Sequence, residues 1–206
     1  MNDIQDLPEG ERPQDAELAI VETDAGAAVA VVREGRFQRL LSFDEALLLT
    51  VRRLHRPWRT GLARALTRLG DGRSWTVTSV AFLATFTRTG VHLGLRIGAA
   101  ATIGSLLAQA LKRSLTRARP DAAIQGFEAL AANPDRFSFP SGHTAAAVGV
   151  AVSLAGEPYA VGPASCLLAA GIAFSRVYLG AHYPLDVAAG GVLGVFAGLA
   201  ARLLVA

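Results

Sequence analysis

The chain has 206 residues, 20 basic and 17 acidic, for a formal net charge of +3, which is one domain's worth of sequence. Hydrophobic residues make up 51% and charged residues 18%, against about 25% charged in an average soluble domain, and the mean hydropathy is +0.36. A disordered chain and a multidomain machine are excluded, and an integral membrane protein is indicated. The single cysteine, Cys166, rules out an intrachain disulfide framework; in its apolar run it is expected to serve as small apolar packing.

Charge is unevenly placed: residues 1–40 hold nine acids and four arginines, a net of −5, which leaves +8 for residues 41–206. The opening residues have neither a positive start nor an apolar core, so no cleaved signal peptide is expected. The arginines of the basic body flank apolar spans rather than aromatic platforms, which favours membrane lipids over nucleic acid as the partner.

In chain order, residues 1–41 form an acidic polar N-terminal region. Its tail through Glu17 is too polar to fold alone, and Leu18 to Leu41 could form a small hairpin with turns at Asp24–Gly26 and Glu34–Gly35. Residues 42–70 follow as two amphipathic basic helices: Ser42 and Glu45 have the spacing of a capping box, and Leu47, Val51, Leu54, Trp58, Leu62, Leu66 and Leu69 recur at steps of three or four. Pro57 is expected to divide the pair. Six arginines between Arg52 and Arg68 exclude a bilayer span here and suit a helix pair lying on phosphate headgroups.

Residues 71–206 are expected to be embedded in the membrane. Five apolar stretches, Trp75–Thr87, Val91–Leu111, Thr144–Leu154, Ala160–Phe174 and Val187–Ala206, predict an all-α polytopic bundle of about five spans. Glycine and alanine are dense in all but the first, as in helices that pack closely within lipid.

Three segments between these stretches hold the unusual polar residues. In the first, Lys112 and Arg119 are seven apart, so a continuing helix would put both cations on one face; a basic flank at the membrane boundary is the plainer reading. Lys112 is the only lysine of the chain. In the second, Phe139-Pro140-Ser141-Gly142-His143-Thr144 opens an apolar helix. Ser141 suits its N-cap, and Gly142 leaves backbone amides bare for an anion, although such a segment can equally be a turn and a helix start. In the third, Ser175-Arg176 precedes His182, Tyr183, Pro184 and Asp186. Pro184 fits a first helical turn, and a carboxylate four residues after His182 can orient the imidazole or cap the helix.

Together the segments read K-x6-RP, 19 residues, PSGH, 31 residues, SR-x5-H-x3-D. From Lys112 to Asp186 the chain resembles the type 2 phosphatidic acid phosphatase superfamily, which also includes bacterial acid phosphatases and vanadium haloperoxidases. The resemblance implies a membrane phosphatase acting on a lipid phosphate monoester or diphosphate, of the phosphatidic acid, phosphatidylglycerophosphate or polyprenyl diphosphate type. It implies that Lys112, Arg119 and Arg176, with Ser141 and the Gly142 amide, hold the phosphate. His182, oriented by Asp186, would attack phosphorus to form a phosphohistidine, and His143 would protonate the leaving oxygen. No metal and no cofactor is expected. His55 and His92 fall outside the motif and are expected at interfacial or packing positions. A vanadate-dependent haloperoxidase, a soluble acid phosphatase and a non-catalytic lipid-binding protein are the rival readings.

Integral members of that family typically have three spans before the first motif, and here the arginine-rich 43–69 segment stands in place of one of them. With two crossings before Lys112 the catalytic loops return to the side of the N-terminus, and the arginine bias makes that side cytoplasmic. The expected location is the bacterial inner membrane.

Overall fold

The computed structural model of the chain describes residues 17–22, 28–33, 36–131, 135–157 and 161–206. It divides into two compact units, residues 1–46 and 47–206. In the first, β1 (Glu17–Glu22) and β2 (Ala28–Arg33) pair antiparallel, in register from Glu17 opposite Arg33 to Glu22 opposite Ala28. The expected turns at Asp24–Gly26 and Glu34–Gly35, and residues 1–16 of the polar tail, lie outside the described residues. Helix α1 (Arg36–Arg52) begins upstream of the proposed capping box. Ser42 therefore sits inside a helix rather than at its start, and its hydroxyl donates to the Arg39 carbonyl at 3.1 Å, the local bond by which a mid-helix serine satisfies itself.

In the second unit Pro57 opens α2 (Pro57–Leu69) at its first position, where its missing N–H has no intrahelical role. Then come α3 (Gly72–Leu83), α4 (Arg88–Ser114), the single turn α5 (Pro120–Ala123), α6 (Gly142–Leu154), α7 (Val161–Tyr178) and α8 (Pro184–Leu204). Thr87 caps α4 by accepting from the Gly90 amide at 3.0 Å, so the end of the first apolar stretch is the α3–α4 turn. Cys166 is exposed on α7 rather than packed inside.

Among the described residues α4, α7 and α8 are long and apolar enough to cross a membrane. At 12 and 13 residues and ~1.5 Å per residue, α3 and α6 reach only about 20 Å. Helix α6 is apolar on every side because it is enclosed: α4, α7 and α8 all pack on it, and Ala145, Ala146, Ala147, Val150 and Ala151 are buried. Small residues allow this. A Cβ at Gly104 of α4 would stand 2.7 Å from the Ala145 carbonyl oxygen, and one at Gly198 of α8 would stand 2.5 Å from that of Gly149.

The five helices α3, α4, α6, α7 and α8 alternate in direction. Gly72, Lys112, Gly142, Arg176 and His182 thereby meet at one end, where they line a common cavity. At the other end Arg96 pairs with Glu157 at 2.8 Å and donates to the Val205 carbonyl at 3.0 Å, with His92 3.6 Å from Glu157. Helix α2 packs along α7 through a 2.7 Å bond between the Thr67 and Ser175 hydroxyls, while Trp58 and Leu62 stay exposed. His55 bonds the Tyr178 carbonyl at 2.7 Å, a packing role as expected.

Candidate active site

Helix α4 ends at Ser114, and Leu115 is already extended. Arg119, with ψ of 159°, is extended too, because a residue before proline is driven out of the helical region. The sequence expectation that Lys112 and Arg119 share one face of a continuing helix is therefore corrected. The chain leaves the helix, and the two cations converge through the loop. Both line a cavity of about 320 Å³ together with Asp135, Gly142, His143, Arg176 and His182. Arg119 and Arg176 are 5% and 3% exposed, so the cavity wall carries desolvated positive charge.

Sequence reading missed what holds these cations. Lys112 Nζ donates to Asp135 Oδ2 at 2.5 Å, and Arg119 Nε donates to the Asp135 carbonyl at 2.7 Å. A second Arg119 nitrogen donates to the Ala181 carbonyl at 2.6 Å. The Lys112 ammonium, hydrogen-bonded to it, holds the Asp135 carboxyl below its ordinary range.

Ser141 is wholly buried and caps α6, its Oγ accepting from the Thr144 amide at 3.5 Å and from the Thr144 hydroxyl at 3.0 Å. It does not line the cavity. Gly142 does, at the first turn of α6, where backbone N–H groups point outward and the helix dipole favours an anion. His143 follows, and its Nε2 donates to Asp71 Oδ1 at 2.7 Å. Asp71 belongs to the α2–α3 turn and was not a candidate.

His182 lies in the α7–α8 turn, 1% exposed, with Nδ1 3.6 Å from Asp186 Oδ2. That is longer than a hydrogen bond, and Nδ1 has no hydrogen-bond partner among the described residues. Burial pushes the His182 imidazole down to about 4, so at neutral pH it carries no charge. Asp186, also buried, caps α8 by accepting from the Tyr183 amide at 2.9 Å and accepts from Arg117 Nη1 at 2.9 Å. Both sequence alternatives for Asp186, helix cap and partner of the imidazole, thus occupy one carboxylate. Arg117 is a further residue that sequence reading missed, and its place two residues before Arg119 is the one available signal.

The cavity joins three cations and a helix N-terminus, which suit a phosphate, to two imidazoles, each facing its own carboxylate. A family model described as the PAP2 superfamily matches residues 93–206. The chain is 36% identical over 131 residues to the decaprenylphosphoryl-5-phosphoribose phosphatase of Mycolicibacterium smegmatis, covering 62% of this chain and 69% of that one. It is 30% identical over 135 residues to the undecaprenyl-diphosphatase of Sulfolobus acidocaldarius, covering 65% of each. Its fold matches the crystal structure of a transmembrane PAP2-type phosphatidylglycerolphosphate phosphatase from Bacillus subtilis with a TM-score of 0.69 at 28% identity, over 81% of this chain and 86% of that one.

Proposed function

The chain belongs to the PAP2 superfamily and is an integral membrane phosphatase of lipid phosphates, and from that premise we propose that it acts on a polyprenyl-linked phosphate or diphosphate through a phosphohistidine at His182. The substrate class is supported by the names of the two relatives above. The observation that carries the mechanism is the cavity in which Lys112, Arg119 and Arg176 face His143 and His182.

Phosphoryl transfer spreads charge over three equatorial oxygens while the attacking and leaving groups stay in line. Lys112, Arg119, Arg176 and the Gly142 amide take the equatorial charge, and Ser141, by capping α6, aims that amide. Neutral His182 attacks phosphorus through Nε2. Its Nδ1 keeps the proton and donates it as a hydrogen bond to the Asp186 carboxylate, which closes the 3.6 Å gap as the imidazole becomes cationic. His143 gives its proton to the bridging oxygen as the P–O bond breaks, and the lipid alcohol or phosphate departs. Water, losing a proton to His143, then attacks the phosphohistidine and releases inorganic phosphate. The charge a metal would supply comes from the cations, and we propose metal-independent turnover.

We place about five spans in the bilayer, the arginine-rich helix pair at the headgroups, and the site on the cytoplasmic face of a bacterial inner membrane. The supporting feature is charge: Arg64, Arg68 and Arg117 lie at the site end, whereas Arg88, Arg96 and Glu157 lie at the other.

The test is phosphate release in detergent from a polyprenyl diphosphate, a polyprenyl-linked sugar phosphate, phosphatidate and phosphatidylglycerophosphate, with and without EDTA. Polyprenyl substrates should lead and chelation should change nothing. Phosphatidate hydrolysed fastest overturns the substrate, and loss in EDTA restored by magnesium overturns the mechanism. His182→Ala should abolish turnover on all four.

A further inference from the structure

We propose that Asp71 is a positioning residue for the leaving-group step: it holds His143 by Nε2–H, so that the proton delivered to the lipid's oxygen leaves from Nδ1. This rests on the general-acid role of His143 given above.

Asp71 stands at the N-cap of α3 with an extended backbone, φ −68° and ψ 149°, yet its side chain makes no capping bond. An aspartate at this position ordinarily accepts from the amides of its own helix. Here the carboxylate turns away from α3 and accepts from His143 at 2.7 Å instead. Its distance in sequence, 72 residues, makes this a contact imposed by the tertiary fold.

The turn that carries Asp71 is fixed on three sides. The Trp75 indole N–H donates to the Gly70 carbonyl at 3.2 Å. The Thr67–Ser175 bond ties the end of α2 to α7. Gly70 lets the turn close on the site, since a Cβ there would be 2.7 Å from Ile172 Cγ2 and 3.4 Å from His143 Cδ2. Asp71 also lies outside residues 93–206, the part that matches the family model, so the segment preceding that part completes the site.

The electrostatic need is plain. Lys112 from α4, Arg119 from the loop and Arg176 from α7 share a cavity with His143, and His182 faces it from the α7–α8 turn. Arg64 and Arg68 of α2 line the adjoining cavity on its other side. Every one of these cations disfavours an imidazolium. Asp135, across the cavity, is committed to Lys112 and Arg119. Among the described residues Asp71 is the carboxylate that bonds His143 directly, and it favours the charged acid.

The experiment compares 4-nitrophenyl phosphate, whose alcohol is acidic and leaves unaided, with phosphatidate, whose alcohol needs a proton. Asp71→Asn should lower kcat on phosphatidate about ten- to a hundredfold and on 4-nitrophenyl phosphate no more than about threefold. On phosphatidate the alkaline limb of kcat should move to lower pH by about one unit or more. Asp71→Glu should restore part of both effects, and Asp71→Asn with His143→Ala should be no slower than His143→Ala alone. Asp71→Ser, which keeps an N-cap hydroxyl but no charge, should behave as Asp71→Asn if the fold is intact. Equal losses on both substrates with an unmoved alkaline limb overturn the proposal and leave a structural turn. His143→Ala serves as the control for the underlying reading: if it loses equally on both substrates, the general-acid role itself falls, and the proposal with it.

Discussion

Arg117 Nη1 donates to Asp186 Oδ1 at 2.9 Å, while its guanidinium carbon lies 3.9 Å from the centre of the Tyr183 ring. The carboxylate that faces His182 is thus held from two directions, by Arg117 on one oxygen and by the Tyr183 amide on the other. A wholly buried carboxylate needs such partners, because leaving one charge of a buried pair alone costs about 3–5 kcal/mol. It also means that the carboxylate facing His182 is held by a residue that does not itself line the cavity.

Arg117→Gln should therefore lower kcat about tenfold or more with little change in KM, since a hydrogen bond to a charged group is worth about 1.5–3 kcal/mol and phosphate binding is untouched. Arg117→Lys should recover only part, because an ammonium lacks the flat face that lies over Tyr183. Steady-state kinetics on 4-nitrophenyl phosphate decides: wild-type kcat in Arg117→Gln would leave the Tyr183 amide as sufficient support.

Helix contact sets the site as much as charge does. A Cβ at Gly190 of α8 would stand 2.5 Å from the Ser141 carbonyl oxygen and 3.1 Å from Thr144 Cβ, beside the point where the Ser141 amide donates to the Asp186 carbonyl at 3.0 Å. A Cβ at its neighbour Gly191 would meet nothing within 4 Å beyond its own helix, among the described residues. Gly190→Ala should push the start of α6 away from α8 and separate Gly142 and His143 from His182, and a misplacement of about 1 Å can cost about a hundredfold in rate. Gly191→Ala should stay fully active and gain up to about 1 kcal/mol of helix stability. Equal activity of the two variants would contradict the close approach.

What could be read from sequence was what is local or periodic. The cap at Ser141 is a three-residue motif that spacing alone predicted, whereas the four-residue spacing of His182 and Asp186 left cap and imidazole partner open, and only the resemblance chose the catalytic pairing. Asp71 and Arg117 act across long separations, and nothing in the phase or composition around them distinguishes them from turn and flank residues. Two local patterns misled for physical reasons. Ser42 and Glu45 have capping-box spacing inside a helix that begins six residues earlier, at Arg36. The helical phase linking Lys112 to Arg119 fails because Pro120 ends it. The apolar stretches gave the bundle correctly, but α6 reads as a partial span because it is enclosed by protein and needs no lipid-length face.

Asp135 occupies Lys112 and Arg119, the cations proposed to engage the substrate's phosphate. Its Oδ2 bonds Lys112 and lies 4.0 Å from Arg119 Nη2. Because the hydrogen bond from Lys112 holds the Asp135 carboxyl below its ordinary range, its carboxylate competes with phosphate for the same cations. Asp135→Asn should lower the inhibition constant of inorganic phosphate by about tenfold, equivalent to about 1.4 kcal/mol, and slow product release under saturating substrate. An unchanged or weaker phosphate inhibition would mean that the carboxylate orients Lys112 rather than opposing the ligand.

The ionisation of His182 gives the sharpest prediction. An ordinary histidine titrates near ~6.5, but burial, with Arg176 and Arg119 adding repulsion, pushes this imidazole down to about 4. Asp186 pulls the other way, and at 3.6 Å without a hydrogen bond it does not prevail. An imidazole that attacks phosphorus must be neutral, so with His182 in that role activity is full above the depressed value and is lost as pH falls through it. At saturating 4-nitrophenyl phosphate the acid limb of kcat should fall below about pH 5 rather than near ~6.5. Asp186→Asn should move it lower still while reducing kcat at every pH, since the variant loses both the pull on the proton and the partner for the imidazolium. Two aryl phosphates with different second ionisations separate the substrate's own titration from the enzyme's, because only the former moves between them. An enzyme limb near 6.5 would show that the nucleophile is solvated in the working state, and that the closed turn between α7 and α8 opens before attack.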